Sequence, residues 1–203
     1  MLVIIDYGMG NLRSVEKACR RIGIEVKVTS NPDDIANASK LILPGVGHFE
    51  KGMKNLNERN LVEPIRKAAL ENKISLLGIC LGMQLLTKRS DEGDVNGLGF
   101  IDVNTIMFDS TVDIKVPHMG WNTVDFDDLD PLFENIKRDD EFYFAHSFHV
   151  ESKAKNKYIY GSTEYGYVFP IVLKYKNVLG VQFHPEKSYD AGLQLLTNFV
   201  TNY

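Results

Sequence analysis

Residues 74–86, with the sequence ISLLGICLGMQLL, constrain the fold of this chain more strongly than any other stretch. They begin with a run of apolar residues typical of a parallel strand that is covered on both faces. Gly78 and Gly82 then bracket Cys80 in the pattern G-x-C-x-G. This pattern is the cysteine form of a sharp turn that presents a nucleophile between a strand and a helix. The stretch therefore predicts an α/β fold with an outward-facing Cys80 at the end of a central strand.

The helix predicted after Cys80 would favour the ionised form of the sulfur. The first N–H groups of a helix have no partner within it, and the helix dipole places positive charge at that end. The backbone N–H of Leu81 is a candidate donor to an oxyanion. Because most free cysteines are small core residues, the assignment of Cys80 as a nucleophile needs support from a second element.

That second element is residues 178–186, with the sequence VLGVQFHPE, near the C-terminus. An apolar strand is predicted to lead to His184, and Glu186 follows two residues later. His184 is suited to act as a general base toward a thiol, and Glu186 is suited to orient and stabilise the imidazole ring. We therefore predict a catalytic triad of Cys80, His184 and Glu186.

The motifs GICLGMQ and GVQFHPEKS resemble the triad motifs of class I glutamine amidotransferases, which release ammonia from the glutamine side chain. The resemblance implies that Cys80 attacks the side-chain amide of bound glutamine. It also implies that Gln84, on the helix after the turn, contacts this substrate. Enzymes of this kind need no metal and no organic cofactor, so none is expected here.

The order of the predicted elements indicates how the sheet is arranged. Predicted strands cover residues 2–5, 24–28, 41–43 and 74–79, and predicted helices cover residues 12–22, 32–36, 60–71 and 191–200. Alternating strands and helices are typical of a parallel sheet with helices on both faces. Shorter segments at residues 100–107 and 158–175 predict an antiparallel extension that includes a hairpin. We expect an α/β fold of three layers, with a mostly parallel central sheet, helices on both faces and an antiparallel extension.

Composition argues against several other classes of protein. The 203 residues suit a single domain over residues 1–203, and no linker-like segment divides them. The net charge of −4 argues against nucleic acid as a main partner. The apolar runs are strand-sized, so we expect no membrane span and a cytoplasmic location. The two cysteines do not suggest a disulfide, and Cys19 is predicted to lie in the core.

Residues 44–47, with the sequence PGVG, follow the third predicted strand. Glycines on both sides of Val46 allow the peptide planes to turn, so that N–H groups can point toward an oxyanion. On these four residues alone, a plain turn is the commoner case. The resemblance extends to this motif and implies that Val46 and Gly47 form a second oxyanion element and that Gly45 lines the glutamine pocket. A loop this permissive also predicts a free subunit that is a poor glutaminase until a partner docks.

Three further motifs, DYGMGN at residues 6–11, PHMGWN at 117–122 and YFAHSF at 143–148, resemble those of one subfamily, the glutaminase subunits of imidazole glycerol phosphate synthase. The resemblance implies that Asn11, His118, Met119 and Trp121 lie near the face that docks on the synthase subunit. Burial statistics alone place Trp121 in the core. His118 has no second ligand at a spacing suited to zinc, so no metal site is expected there.

Within YFAHSF, the resemblance implies that the backbone of Ser147 and Phe148 contacts glutamine. A tyrosine is usual at the position of Phe148, and the phenyl ring keeps the shape of that residue but lacks its hydroxyl. His146 and His149 are expected to be buried histidines, since His184 already supplies the base. The acidic residues 125–130 predict a solvated loop.

The resemblance covers almost the whole chain and implies a glutaminase subunit in a heterodimer. Its ammonia would pass through a protein channel to a (β/α)₈ cyclase that makes imidazole glycerol phosphate and AICAR in histidine biosynthesis. Three alternatives stay open: a paralogue that supplies ammonia for amidation of a surface sugar, a catalytically silent scaffold subunit, and a stand-alone hydrolase. The intact triad argues against the scaffold, and the docking motifs argue against the stand-alone hydrolase. The sequence of the partner would decide on the paralogue.

Overall fold

The computed structural model of the chain describes residues 1–151 and 156–203. Its strands are β1 (Leu2–Ile5), β2 (Val26–Thr29), β3 (Lys40–Gly45), β4 (Ser75–Cys80), β5 (Arg89–Ser90), β6 (Val95–Asn96), β7 (Asn104–Met107), β8 (His118–Thr123), β9 (Asp125–Phe126), β10 (Glu141–His146), β11 (Phe148–Val150), β12 (Ile159–Tyr165), β13 (Tyr167–Tyr175) and β14 (Val178–Val181). Its α-helices are α1 (Leu12–Arg21), α2 (Pro32–Ala36), α3 (Phe49–Glu58), α4 (Val62–Arg66), α5 (Leu81–Leu85) and α6 (Tyr189–Asn202).

The large sheet has the strand order β2-β1-β3-β4-β14-β13-β12-β9 within the described residues. Its first five strands are parallel, and the remaining pairs are antiparallel. This confirms the predicted parallel sheet with an antiparallel extension. Because β4 and β14 are parallel neighbours, their carboxyl ends lie at the same edge of the sheet. Residues that follow these two strands are therefore brought together.

Helices cover both faces of the sheet, as predicted. Along β1, Val3 and Ile5 belong to one buried cluster, whereas Leu2 and Ile4 belong to the other. Side chains from α2, α3 and α4 complete the first cluster, and side chains from α1 and α6 complete the second. A strand whose two faces are both buried favours a continuous apolar run over an alternating one, which explains why this segment was recognisable in the sequence.

Smaller sheets extend the molecule beyond the parallel strands. Strands β8 and β10 form an antiparallel pair, and β11, β7, β5 and β6 form a second small sheet that contains the expected hairpin, β5–β6. The predicted strand at residues 100–107 begins only at Asn104. The backbone N–H groups of Phe100 and Ile101 instead donate to the carbonyl oxygen of Leu86, so they close the end of α5 rather than join a sheet.

Two boundaries differ from the prediction because residues serve a neighbouring helix end. The second strand starts at Val26 rather than at residue 24, since the N–H of Ile24 donates to the carbonyl oxygen of Cys19 at the end of α1. The helix predicted over residues 60–71 starts at Val62 because Asn60 has a φ of 56°. It then continues as a π-helical turn over Lys67–Glu71.

The acidic segment over residues 125–130 is not a solvated loop throughout, and this prediction was wrong at both ends. Residues Asp125–Phe126 form the edge strand β9. Asp130 is buried and forms an ion pair of 2.8 Å with Lys174, and it also accepts a hydrogen bond from the hydroxyl of Tyr203. A buried carboxylate is stable only with such partners, and these partners lie far away in the sequence.

The burial of Cys19, His146 and His149 agrees with the sequence analysis, whereas Cys80, predicted to face outward, is only 6% exposed. Cys19 is fully buried in the core, and His146 and His149 are also buried. No helix among the described residues is long and apolar enough to cross a membrane.

Candidate active site

Cys80 is the last residue of β4, and its backbone has φ 54° and ψ −111°. A positive φ is rare for residues other than glycine. The two flanking glycines make this turn possible: a Cβ on Gly82 would lie 1.7 Å from the carbonyl oxygen of Leu43, and a Cβ on Gly78 would lie 2.7 Å from that of Gly82. Close backbone packing therefore holds Cys80 at the start of α5.

His184 lies just beyond the end of β14, the strand beside β4. Its Nδ1 donates to Oε1 of Glu186 at 2.8 Å, and only 2% of either side chain is exposed. Cys80 acts on the same ring, since its negative charge raises the pKa of His184. The structure thus brings together the three residues that the sequence predicted as a triad.

The electrostatic environment separates His184 from the other buried histidines. Burial lowers its pKa, but the negative charges of Cys80 and Glu186 and the hydrogen bond to Glu186 outweigh burial and raise the pKa to about 10. Burial lowers the pKa of His118 to about 4 and that of His146 to about 3. His184 is therefore cationic near neutral pH, whereas His118 and His146 are neutral.

A pocket of about 260 Å³ opens above the cysteine, a volume that suits a single amino acid. Eight of the predicted site residues line it, including Met119 from the predicted partner face, and the other lining residues are contributed by the loop after β5, the residue before β8 and the end of β10. The complete lining is Val46, Gly47, Cys80, Leu81, Gln84, Glu92, Pro117, Met119, Ala145, His146, Ser147 and Phe148.

Gln84 is buried and uses its amide group within the protein. Its Nε2 donates to the carbonyl oxygen of Phe148 at 2.9 Å and to Oε1 of Gln182 at 3.0 Å. Gln182 in turn donates to Sγ of Cys80 at 3.7 Å. Sequence reasoning missed Gln182, although a polar residue within an apolar strand, two positions before His184, was a visible signal.

The backbone at Phe148 is held without a tyrosine hydroxyl. Its carbonyl oxygen accepts hydrogen bonds from Gln84 and, at 2.8 Å, from Nδ1 of His146. His146 accepts at Nε2 from Nδ1 of His118 at 3.0 Å, which fixes both rings as neutral tautomers. Phenylalanine in place of the usual tyrosine therefore removes neither hydrogen bond to the carbonyl oxygen of Phe148.

Gly45 does not line the pocket, contrary to the expectation from the resemblance. It ends β3 opposite Cys80 and lies beneath the turn, where a Cβ would come within 2.6 Å of Oη of Tyr7 and 2.7 Å of both Gly82 N and Leu81 Cβ. Close packing is the physical reason for a glycine here. Beyond it, Val46 is 47% exposed and Gly47 has a φ of 117°.

The residues predicted at the partner face separate into two groups. Met119 is 64% exposed and Trp121 is 40% exposed, so the expectation from burial statistics that Trp121 is a core residue was wrong. Tyr189 stacks on Trp121 with ring centroids 4.9 Å apart. Asn11, at the start of α1, is partly exposed.

His118 is the exception, because it is buried and stacks between Phe144 and Tyr165 with centroid distances of 4.6 and 4.1 Å. Its side chain therefore does not contribute to the surface. The expectation that His118 lies at a partner face is corrected, because the residue lies in the core.

Two more residues near the site were missed. Glu92 lines the pocket, and its Oε2 accepts from the backbone N–H of Phe49 at 2.7 Å; nothing in its acidic, glycine-containing loop signalled this. Ser188 donates to the carbonyl oxygen of His184 at 2.6 Å and accepts from the N–H of Tyr143 at 3.0 Å, so it fixes the backbone of the base.

Among the described residues, no group of three or more His, Cys, Asp or Glu side chains is placed to hold a metal ion.

Comparison with known proteins agrees with this geometry. Residues 3–203 match the family described as glutamine amidotransferase class-I. A solved structure described as a glutamine amidotransferase superposes with a TM-score of 0.75 at 20% identity and covers 98% of both chains. At this identity the likeness shows the fold.

Sequence relatives define the group within that family. The Methanococcus maripaludis protein named imidazole glycerol phosphate synthase subunit HisH 2 is 46% identical over 200 residues, covering 98% of each chain. Another protein of that organism, imidazole glycerol phosphate synthase subunit HisH 1, is 48% identical over 205 residues, again covering 98% of each chain. Neither name favours the surface-sugar alternative. Identity of this size over nearly the full length shows that the chain belongs to the class I glutamine amidotransferase family, in its HisH group of imidazole glycerol phosphate synthase subunits.

Proposed function

We propose that the pocket above Cys80 hydrolyses the side-chain amide of glutamine and that the ammonia passes to a docked cyclase. As a HisH protein, the chain is the glutamine amidotransferase subunit of imidazole glycerol phosphate synthase in histidine biosynthesis. The observation that carries the chemical proposal is that Nδ1 of His184 binds Glu186 at 2.8 Å while the negative charge of Cys80, at the end of the neighbouring strand, acts on the same ring.

In the first half of the reaction, Sγ of Cys80 attacks the amide carbon of glutamine, and the carbonyl electron pair moves onto oxygen. The N–H groups of Leu81 and Val46 are the proposed donors to this oxyanion. His184 then gives its proton to the amide nitrogen, the C–N bond breaks, and ammonia leaves a thioester on Cys80.

In the second half, neutral His184 takes a proton from a water molecule that attacks the thioester carbon. The C–S bond breaks, glutamate is released, and Cys80 and His184 return as thiolate and imidazolium. Glu186 keeps its hydrogen bond to Nδ1 throughout, so the other ring nitrogen always faces the reacting atoms. The raised pKa of His184 supports this role, because the imidazolium must be present when ammonia leaves.

Recognition of the substrate backbone is assigned to the rest of the pocket. Glu92 supplies a carboxylate on the pocket wall, and we propose that it pairs with the α-ammonium group of glutamine. The backbone at Ser147 and Phe148 lines the same space and would hold the extended substrate. Gln84 supports this segment through its bond to Phe148 rather than through a free amide.

The partner is proposed to be a (β/α)₈ cyclase that docks beside the pocket, giving a heterodimer. Met119 supports this placement, since it both lines the pocket and exposes most of its side chain. Trp121 and Asn11 would extend the contact on the same side. Residues 1–203 are proposed to act as one glutaminase domain, and the cytoplasmic location stays a prediction from the sequence.

Alkylation by a reactive glutamine analogue, such as a chloroketone, tests the proposed function. We expect one equivalent to modify Cys80, to block glutaminase activity, and to be prevented by excess glutamine. Cys19 is an internal control, because it is fully buried and burial raises its pKa to about 12. Modification of Cys19 before Cys80, or full activity after Cys80 is modified, would refute the assignment of the nucleophile.

A further inference from the structure

Tyr7 is fully buried, and its hydroxyl has no hydrogen-bond partner among the described residues. Buried hydroxyl groups are almost always paired, because an unpaired one loses its bonds to water without replacement. An unpaired buried hydroxyl such as that of Tyr7 is therefore unusual, and it indicates a partner that is present only in another state of the protein.

The hydroxyl lies where the oxyanion segment meets the nucleophile turn. A Cβ on Gly45 would be 2.6 Å from Oη of Tyr7 and 2.7 Å from the backbone nitrogen of Gly82. The peptide group that follows Gly45 carries the N–H of Val46, the proposed oxyanion donor. The carbonyl oxygen of that peptide group belongs to Gly45, the residue that packs against the tyrosine hydroxyl.

The protonation state makes Tyr7 a hydrogen-bond donor. Its pKa is raised, first by burial and then by the negative charge of Cys80. The hydroxyl therefore keeps its proton at any pH at which the enzyme works. Its most direct use is to donate to a nearby carbonyl oxygen.

We propose that Tyr7 is a positioning residue that donates to the carbonyl oxygen of Gly45 when the Gly45–Val46 peptide turns its N–H toward the oxyanion. In a peptide plane the carbonyl and the N–H point in opposite directions. A hydroxyl that binds the carbonyl on the buried side therefore stabilises the arrangement in which the Val46 N–H faces the pocket. This inference rests on the proposed glutaminase function and assigns one residue to its control.

The loop that carries Tyr7 also connects this segment to the proposed partner face. A Cβ on Gly10 would lie 3.3 Å from the backbone of Pro44 and Gly45, and a Cβ on Gly47 would lie 2.8 Å from Cε of Met9. Asn11, at the proposed interface, is the next residue in the loop. A partner that moves Asn11 thus acts on the same contacts that hold the oxyanion segment, and it shifts the peptide only by its differential affinity for the turned state.

Tyr7→Phe tests the inference, because it removes the hydroxyl and keeps the ring. The complex with the cyclase of the same organism is measured with glutamine and, separately, with ammonium. We expect the glutaminase kcat to fall between about ten- and a hundred-fold, less than the roughly 10²–10³-fold cost of removing an oxyanion donor outright. The KM for glutamine and synthesis from ammonium should stay within about twofold of wild type. The melting temperature of the free subunit should not fall, since the lost hydroxyl was unpaired.

Tyr158→Phe is the matched control, since Tyr158 is a buried tyrosine that packs against Tyr175 outside the pocket. The glutaminase kcat of the Tyr158→Phe complex should equal that of wild type.

An unchanged kcat in Tyr7→Phe would overturn the inference. So would a lower melting temperature with equal losses in the free and docked subunit, which indicates a packing role. A changed pH dependence of Cys80 alkylation would also overturn it, because the hydroxyl would then act on the sulfur. A wild-type complex without Cys80-dependent glutaminase activity would instead refute the proposed function.

Discussion

At the scale of single residues, the site depends on how the ring of His184 is held. Glu186 binds Nδ1, Ser188 binds the carbonyl oxygen, and the backbone N–H donates to Tyr143 at 2.8 Å. These contacts fix the ring before substrate arrives, and such preorganisation is what general acid–base catalysis requires.

Removing the base should therefore cost more than removing its support. We expect His184→Ala to lower kcat for glutamine hydrolysis by several orders of magnitude. Glu186→Gln should cost less, on the order of 10⁴-fold or below, because the base is still present. Steady-state ammonia release by the two variant complexes measures this. A wild-type rate in His184→Ala would rule out the triad.

The pH dependence of the same variants follows from the charge at Glu186. In the wild type, the imidazolium is lost only as pH rises through the His184 pKa of about 10. Glu186→Gln removes a negative charge and a strong acceptor, so the pKa of His184 should fall and the alkaline loss of kcat/KM should begin at lower pH. An alkaline limb that stays in place, or moves to higher pH, would show that Glu186 does not stabilise the imidazolium.

The sequence pointed to Cys80, His184 and Glu186 because each stands in a motif with a chemical reason, and the structure brings the ends of their strands together. The sequence did not predict Gln182, Glu92 or Tyr7 as neighbours of the site. These residues acquire their position from strand pairing and loop packing, and a polar side chain in an apolar strand or a glycine-containing loop does not show by itself what it will face. Asp130 was misjudged for the same reason, since its partner Lys174 lies on a distant strand.

At the scale of elements, the turn between β4 and α5 tolerates no added atom on its inner side. Gly82→Ala would place a Cβ 1.7 Å from the carbonyl oxygen of Leu43. We expect a loss of unfolding free energy above about 4 kcal/mol, or no folded protein. Gly23→Ala is the control, because its Cβ meets nothing within 4 Å and only its φ of 77° adds cost, about 1–2 kcal/mol.

Denaturant unfolding of both variants gives the comparison. Equal stability of Gly82→Ala and wild type would contradict the close packing of the turn against β3. Sequence analysis identified this element almost to the residue because glycine spacing and apolar runs are local signals. It placed strands such as β2 less accurately because the residues at their ends bind to a neighbouring helix.

The oxyanion segment after β3 is the second element with a direct test. Val46→Pro removes the N–H proposed to bind the oxyanion, and the exposed position of Val46 leaves room for the ring. Glutaminase turnover of the complex should fall by roughly 10²–10³-fold while synthesis from ammonium persists. If turnover in the complex is unchanged, activation by the partner comes from another part of the molecule.

At the scale of the whole molecule, the parallel sheet explains why distant motifs meet. The carboxyl ends of β3, β4 and β14 lie side by side, so the oxyanion segment, the nucleophile and the base converge at one edge. The pocket at this edge borders the exposed side chain of Met119, with Trp121 further along the same strand. The proposed glutamine pocket and the proposed docking face are thus neighbours, as transfer of ammonia between subunits would require.

The most direct test of this account compares two nitrogen sources in one complex. Cys80→Ala should abolish synthesis of imidazole glycerol phosphate from glutamine, because no thiolate attacks the amide. It should leave synthesis from added ammonium close to the wild-type rate, because the cyclase and its docking face are intact. Equal loss with both nitrogen sources would make Cys80 a structural residue, and full activity with glutamine would contradict the account.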